Sequence, residues 1–279
     1  MKRRKFVKST AAFATMSLFI PNISMAASYP TGLQLYTVRD QMGKDVAGTI
    51  EKVAKIGYSI VEGAGYDKRA FYGMPPKDFR QLLSDNGLKM PSGHITSPFL
   101  KNQADETFED AAMAGNEYVI LAWLFPEERR NIEDYKKIIE LVNNSYEVAR
   151  KHGIKLGYHN HDFEFESLDG QIPYDLMMNE FPEDLPMELD LYWVTKAGLD
   201  PVEIFKKYPN RFPLWHVKDM ADTPEQEFTE VGNGVIDFQR IFDNSKISGL
   251  KYFYVEQDQS RAPLRSISIS YSNVQKINK

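Results

Sequence analysis

Residues 132–165, IEDYKKIIELVNNSYEVARKHGIKLGYHNHDFEF, read as a long amphipathic helix closed by Gly153 and followed at once by an apolar run of strand length. A glycine just past the last periodic residue stops a helix because it adopts the left-handed conformation without a Cβ penalty. The same helix-then-strand unit recurs in both directions. Upstream, GLQLYTV (Gly32 to Val38) is a strand candidate, VAGTIEKVAKIGY sets Val46, Ile50, Val53 and Ile56 at helical spacing, and SIVEGAGY is a second strand. PPKDFRQLLSDNGLKM puts Phe79, Leu82 and Leu83 on one face, stops at Asn86-Gly87 and leads into PSGHIT; EDAAMAGNE leads into YVILAWL. Downstream, PYDLMMNEF precedes MELDLYW, DPVEIFKKYPNRF precedes PLWHVKDM, and DFQRIFDNSKISGL precedes KYFYVEQDQ. Eight apolar strands separated mostly by helices predict a parallel sheet, which right-handed crossovers close into a (β/α)8 TIM barrel. An open doubly wound sheet is the competing α/β architecture, but no Gly-x-Gly-x-x-Gly opens a helix after the first strand. One barrel domain is expected over residues 29–279.

The residues ahead of it, MKRRKFVKSTAAFATMSLFIPNISMAAS, have a basic start, a short apolar stretch and small residues at Ser24-x-Ala26. That is the form of a cleavable export signal, expected over residues 1–27. Arg3-Arg4-Lys5-Phe6-Val7-Lys8 is similar to the twin-arginine pattern, so a periplasmic or secreted location is expected. The apolar part, from about Ala11 to Ile20, is shorter than the about 20 residues a membrane span needs, and no membrane association is expected after signal removal. Hydrophobic residues make up 42% of the 279 and charged residues 26%, enough apolar material for a sizeable core. A formal charge of −5 gives no electrostatic reason for a nucleic-acid partner, and a small neutral or weakly ionic ligand fits better. There is no cysteine, so disulfides and thiolate sites are excluded and any metal is held by nitrogen and oxygen.

In such a barrel the active site lies at the C-terminal ends of the strands. Four consecutive strand ends carry carboxylates or imidazoles: His159-Asn160-His161 with Glu164, then Glu188-Leu189-Asp190, then His216-Val217-Lys218-Asp219, then Glu256-Gln257-Asp258. A carboxylate-rich set with one or two imidazoles suits one divalent ion such as Mn²⁺, Mg²⁺, Co²⁺ or Zn²⁺. With a Lewis acid on a carbonyl or vicinal diol and a base beside it, the chemistry is enolisation: aldose–ketose isomerisation, epimerisation, or β-elimination from a keto sugar.

The sixth strand MELDLYW, the seventh WHVKDM, the following EVGNGVIDF and the terminal YVEQD together resemble the xylose isomerase-like barrels of the sugar phosphate isomerase/epimerase superfamily, particularly an exported branch common in Bacteroidetes. The resemblance covers nearly all of the chain after the signal. It implies one divalent metal held by groups from the fifth to eighth strands, and Asp190, His216 and Glu256 match the last three positions. At the first position His159 stands where the epimerases have glutamate. A related inositol-dehydratase branch has a histidine-rich strand with a later glutamate on the metal. On that resemblance Glu164 is expected as the fourth ligand, ahead of His159 or Glu166, leaving His159 and His161 for acid/base work and Lys218 to hold a substrate oxygen. The departure from a two-glutamate site points toward lyase or hydratase chemistry on 3-keto glycosides. His94, Glu62, Trp123 and Tyr36, near other strand ends, are the expected substrate contacts.

Plainer readings stand beside these. Asp190 suits a helix N-cap; Glu256 and Lys218 suit a structural ion pair; His152, at a helix C-terminus, is favoured there without any function; Gly232-Asn233-Gly234 reads as a tight turn. The whole chain is either a carbohydrate-converting enzyme or a non-catalytic periplasmic sugar-binding protein on the same barrel.

Overall fold

The computed structural model describes residues 29–278, and the export signal expected over residues 1–27 lies outside them. Eight strands, β1 (Thr31–Gln34), β2 (Ile60–Gly63), β3 (Lys89–Thr96), β4 (Tyr118–Trp123), β5 (Lys155–His159), β6 (Met187–Asp190), β7 (Leu214–Val217) and β8 (Tyr252–Val255), form a closed parallel barrel in chain order. β8 closes the ring by pairing with β1, Gly32 opposite Tyr254. The main helices outside it are α1 (Val46–Ile56), α2 (Pro76–Asp85), α3 (Ser97–Ala114), α4 (Ile132–Lys151), α5 (Pro173–Glu180), α6 (Pro201–Lys207), α7 (Phe238–Asp243) and α8 (Pro263–Ile277).

α4 shows why these sequences choose helix. The Asn131 side chain accepts from the Asp134 N–H at 3.0 Å, acids occupy the first turn and bases the last, and Tyr135, Ile138, Ile139, Val142 and Tyr146 are buried. β5 follows within four residues of its end. The outward residues of the strands pack on the helices, as where Trp215 stacks on Phe205 of α6 with ring centroids 4.8 Å apart.

Inside the barrel one region is apolar, formed by Ile60, Tyr118, Ile120, Leu214 and Tyr254. Gly32 is required there, because a Cβ at that position would lie 2.5 Å from the Phe253 carbonyl oxygen and from the Tyr254 ring. Beyond this plug the inward positions turn polar: Gln34, Glu62, Ser92, His94, His159, Glu188, Asp190, His216 and Glu256.

Several strands stop earlier than their apolar runs suggest, and in two of them a side chain that bonds to the following backbone marks the stop. Gln34 accepts from the Tyr36 N–H at 3.0 Å, so GLQLYTV leaves the sheet at Gln34 and Leu35–Val38 coil into a 3₁₀ turn. Asp190 accepts from the Tyr192 and Trp193 N–H groups, both at 3.0 Å, and starts the short helix Leu191–Lys196. β5 ends at His159, and Phe163–Phe165 form a 3₁₀ turn rather than more strand.

Candidate active site

Two layers of polar side chains fill the rim end of the barrel. In the deeper layer Glu62 and Glu188 are fully buried and face three imidazoles. His216 Nε2 lies 2.6 Å from Glu62 Oε2 and 3.2 Å from Glu188 Oε2, and His94 Nε2 lies 2.7 Å from Glu188 and 3.2 Å from Glu62. His159 Nδ1 is 3.4 Å from Glu188 Oε2, and the Gln34 amide donates to Glu62 at 2.8 Å. Burial works against a second proton on His94, but the two carboxylates outweigh it and lift its pKa to about 9. Burial opposes the charge of Glu188 too, and His216 and His94 more than cancel it, holding its pKa well below the carboxylate range.

The outer layer faces the cavity. His216 turns Nδ1 toward Glu256 Oε2 at 2.6 Å and Asp190 Oδ2 at 3.8 Å, and His159 Nε2 lies 3.7 Å from the same Asp190 oxygen. The buried Lys218 ammonium stands among Asp190, Glu256 and Asp258 at 3.0, 2.8 and 2.7 Å. Asp190 Oδ2, His216 Nδ1 and Glu256 Oε2 lie within 4.8 Å of one another, and none is in hydrogen-bonding alignment with any partner. Lys218 already meets the Asp190 and Glu256 oxygens as a cation, though out of hydrogen-bonding alignment, and buried acceptors left so poorly paired favour further positive charge. They therefore fit a divalent ion, with His159 Nε2 beside them. The deeper layer completes the arrangement: the flanking carboxylates hold His216 well above the ordinary imidazole value, so an ion bound at Nδ1 would displace a proton there while the Nε2–H stays on Glu62, the carboxylate–histidine pairing common behind metal-ligating imidazoles.

A deeper donor group, His94, His159, Glu188 and His216, also has ligand spacing. Its short contacts, His94 to Glu188 and His216 to Glu62, are already hydrogen bonds, with His159 Nδ1 and the second oxygen of Glu188 left without a partner, whereas all three outer atoms lack an aligned one. The outer layer is the better metal site on that difference.

The structure thus brings Asp190, His216, Glu256, His159 and Lys218 together, and departs from expectation at two places. Glu164 is absent from the cluster. Its Oε1 accepts from the Tyr158 hydroxyl at 2.6 Å and its Oε2 from the His161 N–H at 2.7 Å, because the chain leaves the strand after His159 and carries residue 164 to the side of β5 where Tyr158 packs. Burial raises its pKa to about 7. Glu166, the other alternative, is exposed at the cavity wall. Glu62 does not reach the cavity; it lies beneath His94 and His216 and orients them. Lys218 is buried and pairs with Asp190 and Asp258 as well as with the expected Glu256.

Other placements follow the sequence. His94, 13% exposed at its side chain, lines the cavity, as do Tyr36 (43% exposed) and Trp123 (36% exposed) at its mouth. His161 lies beyond the strand end, yet its ring centroid is 4.9 Å from that of His159 and 4.9 Å from that of Trp123, and its Nδ1 has no partner. Burial, and then neighbouring cations, push both histidines well below the ordinary imidazole value. Asp190 is both cap and site residue, one oxygen for each task. His152 pairs with Asp105 at 2.9 Å, far from the rim chemistry. The Gly232-Asn233-Gly234 turn wraps Asp219, whose carboxylate accepts from the Gly232, Gly234 and Met220 N–H groups at 2.8–2.9 Å. A side chain at Gly234 would collide with it.

The cavity holds about 950 Å³ and is lined by His94, His159, His161, Lys218, Glu256 and Asp258 at its base. Residues 50–265 match the family described as xylose isomerase-like TIM barrel. The chain belongs to that family. Among its solved members, a sugar phosphate isomerase/epimerase from Parabacteroides distasonis is 27% identical with a TM-score of 0.78, the match covering 90% of this chain and 95% of that one. An inosose dehydratase from Clostridium perfringens is 31% identical over 152 residues, 47% of this chain and 50% of the relative, so the chain spans about half the length of such curated relatives. The inosose dehydratase of Lacticaseibacillus casei is 26% identical over 265 residues, 80% of this chain and 86% of that one.

Proposed function

We propose that this family member is a divalent-metal-dependent enzyme that moves a proton at a carbon beside a sugar carbonyl. The observation that carries the reading is the clustering of the Asp190 and His216 acceptors, just beneath the cavity, with Glu256, the buried Lys218 ammonium and the unpartnered imidazole of His161 in its lining. Asp190, His216 and Glu256 would hold the ion, with His159 as fourth group, and the ion would supply Lewis acidity toward a carbonyl or vicinal diol. His161 accepts the proton from the carbon beside the carbonyl, and Lys218 hydrogen-bonds the oxygen that gains charge. Return of the proton to the neighbouring carbon gives isomerisation, and return to the opposite face gives epimerisation. Loss of a β-oxygen instead breaks the C–O bond, the departing oxygen taking a proton from Lys218, which is elimination.

The dehydratase names of the relatives favour elimination, and the histidine at position 159 in place of a glutamate agrees with it. Within elimination, a 3-keto sugar or 3-keto glycoside is the substrate class proposed, met outside the cytoplasm if the basic N-terminal stretch directs export. A metal-loaded enzyme incubated in D2O with ketoses, inososes and 3-keto glucosides, followed by NMR, tests this. Exchange of the hydrogen beside the carbonyl that disappears in His161→Ala supports it. Absence of exchange on every sugar, with the ion bound, would leave a sugar-binding protein in its place.

A further inference from the structure

A second hollow of about 1080 Å³ adjoins the active-site cavity, and the two share Arg39, Trp193, Lys196, Phe228 and Gln259 as their common wall. Its remaining lining comes from Tyr192 after β6, from the loop after β7 and from the loop and first two turns after β8, with none of the histidines of the cavity base. We propose that this outer lobe is a subsite for a second, neutral pyranose ring, so that the substrate is a glycoside of at least two rings rather than a free monosaccharide. The inference rests on the carbohydrate reading above and names its substrate more narrowly.

Volume is the first reason. Each lobe alone reaches the upper end of the roughly 300–1,000 Å³ of a small-ligand pocket, so a single sugar ring engaged at the histidine base leaves the outer lobe empty. The wall chemistry is the second. Trp193 and Phe228 meet edge-on at 5.7 Å between centroids, Phe228 stacks on Tyr192 at 4.4 Å, and Lys196 lies 4.9 Å from the Trp193 ring centre. These contacts hold the aromatic wall in place, and aromatic faces pack against the C–H faces of pyranoses.

Charge decides the class. Arg39, Lys196, Arg261 and Arg265 line the lobe, and so do Glu225, Glu227 and Glu230. Among the described residues none of these seven lies within ion-pair distance of an opposite charge. Charged donors and acceptors of both signs around one hollow, with Glu230 held by Ser266 and Arg39 by the Tyr36 carbonyl, match the hydroxyls of a polyol. Near-equal numbers of each sign leave no net attraction for a phosphate or sulfate group. Amides and hydroxyls from Asn233, Gln257, Thr229 and Ser260 fill the gaps.

The test uses unreactive sugars, so it does not depend on turnover. Calorimetric binding of glucose, cellobiose, sophorose, maltose, phenyl β-D-glucoside and glucose 6-phosphate is measured on the metal-loaded full chain. At least one disaccharide is expected to bind about tenfold or more tightly than glucose, with no such gain for glucose 6-phosphate. Arg265→Ala and Arg261→Ala, each checked for an unchanged melting temperature, are expected to erase that gain and leave glucose binding as it was. Equal affinity for one ring and two, or a gain that survives both substitutions, overturns the subsite. A gain confined to glucose 6-phosphate overturns it in favour of an anion site. Loss of solvent exchange on all keto sugars, with the two-ring preference intact, would instead count against the catalytic reading alone.

Discussion

The two polar layers inside the barrel use the same residue types for different ends. In the deeper one, Glu62 and Glu188 meet His216 and His94 through short contacts of one oxygen each, their second oxygens and His159 Nδ1 staying without an aligned partner. In the outer one, Asp190, Glu256 and the far nitrogen of His216 are equally buried and have no aligned partner. His216 belongs to both, one ring nitrogen in each. Since a neutral imidazole offers one N–H and one lone pair, whichever layer takes the N–H assigns the lone pair to the other. The carboxylates beneath thereby aim the imidazole, and those above share a cation with it.

The largest expected effect comes from breaking the outer layer. Asp190→Asn or Glu256→Gln removes a charged acceptor from the orphaned set and should abolish stoichiometric metal binding. Solvent exchange should fall by about 10³ or more, the loss typical when a principal electrostatic contributor is removed. Chelation of the wild-type ion should do the same, reversibly, as followed by metal analysis and NMR. A smaller effect is expected in the deeper layer. Glu62→Gln keeps the shape and a hydrogen-bond acceptor but weakens the hold on the His216 N–H, so metal affinity should drop roughly 10- to 100-fold while the fold survives. An unchanged affinity in a metal titration would show that Glu62 merely fills space.

The smallest effect belongs to Glu164, which serves neither layer. Burial raises its carboxyl from 4.5 to about 7, so the folded state prefers it protonated. Its contribution to stability is fully present below about pH 4.5 and is lost as pH rises through 7. Glu164→Gln, neutral throughout, should melt higher than the wild type by on the order of 5 °C above pH 7, with the gap closing below pH 4.5. A variant that is less stable at high pH would mean that the carboxylate form is the one the Tyr158 and His161 contacts require.

The contrast between Glu164 and Glu188 also marks what could be read in the sequence. The barrel was legible because eight apolar runs alternate with helical periods and the glycine stops fall between them. Asp190, His216 and Glu256 were legible because each sits at the end of its own strand, where the fold decides the direction of the side chain. Glu188 was within reach, for the two-residue period of a strand puts it on the face of Asp190; what was missing was a reason to prefer it over an ordinary buried carboxylate. Glu164 was misplaced because the resemblance to the inositol-dehydratase branch put a later glutamate on the metal, whereas here the backbone has turned after His159 and carries Glu164 to Tyr158. That turn is fixed by hydrogen bonds from a tyrosine hydroxyl and a backbone N–H, contacts with no periodic signature. The pairing of Glu62 with His216, 154 positions apart, depends on barrel closure and has no local signal either.

The division between the layers is tested most directly by anomalous diffraction at the absorption edge of a bound Mn²⁺ or Zn²⁺ ion. The account predicts one peak coordinated by Asp190, His216 Nδ1 and Glu256, with His159 beside it and Glu164 still on Tyr158 and the His161 N–H. A peak among His94, Glu188 and the Nε2 side of His216, or one at Glu164, would contradict it.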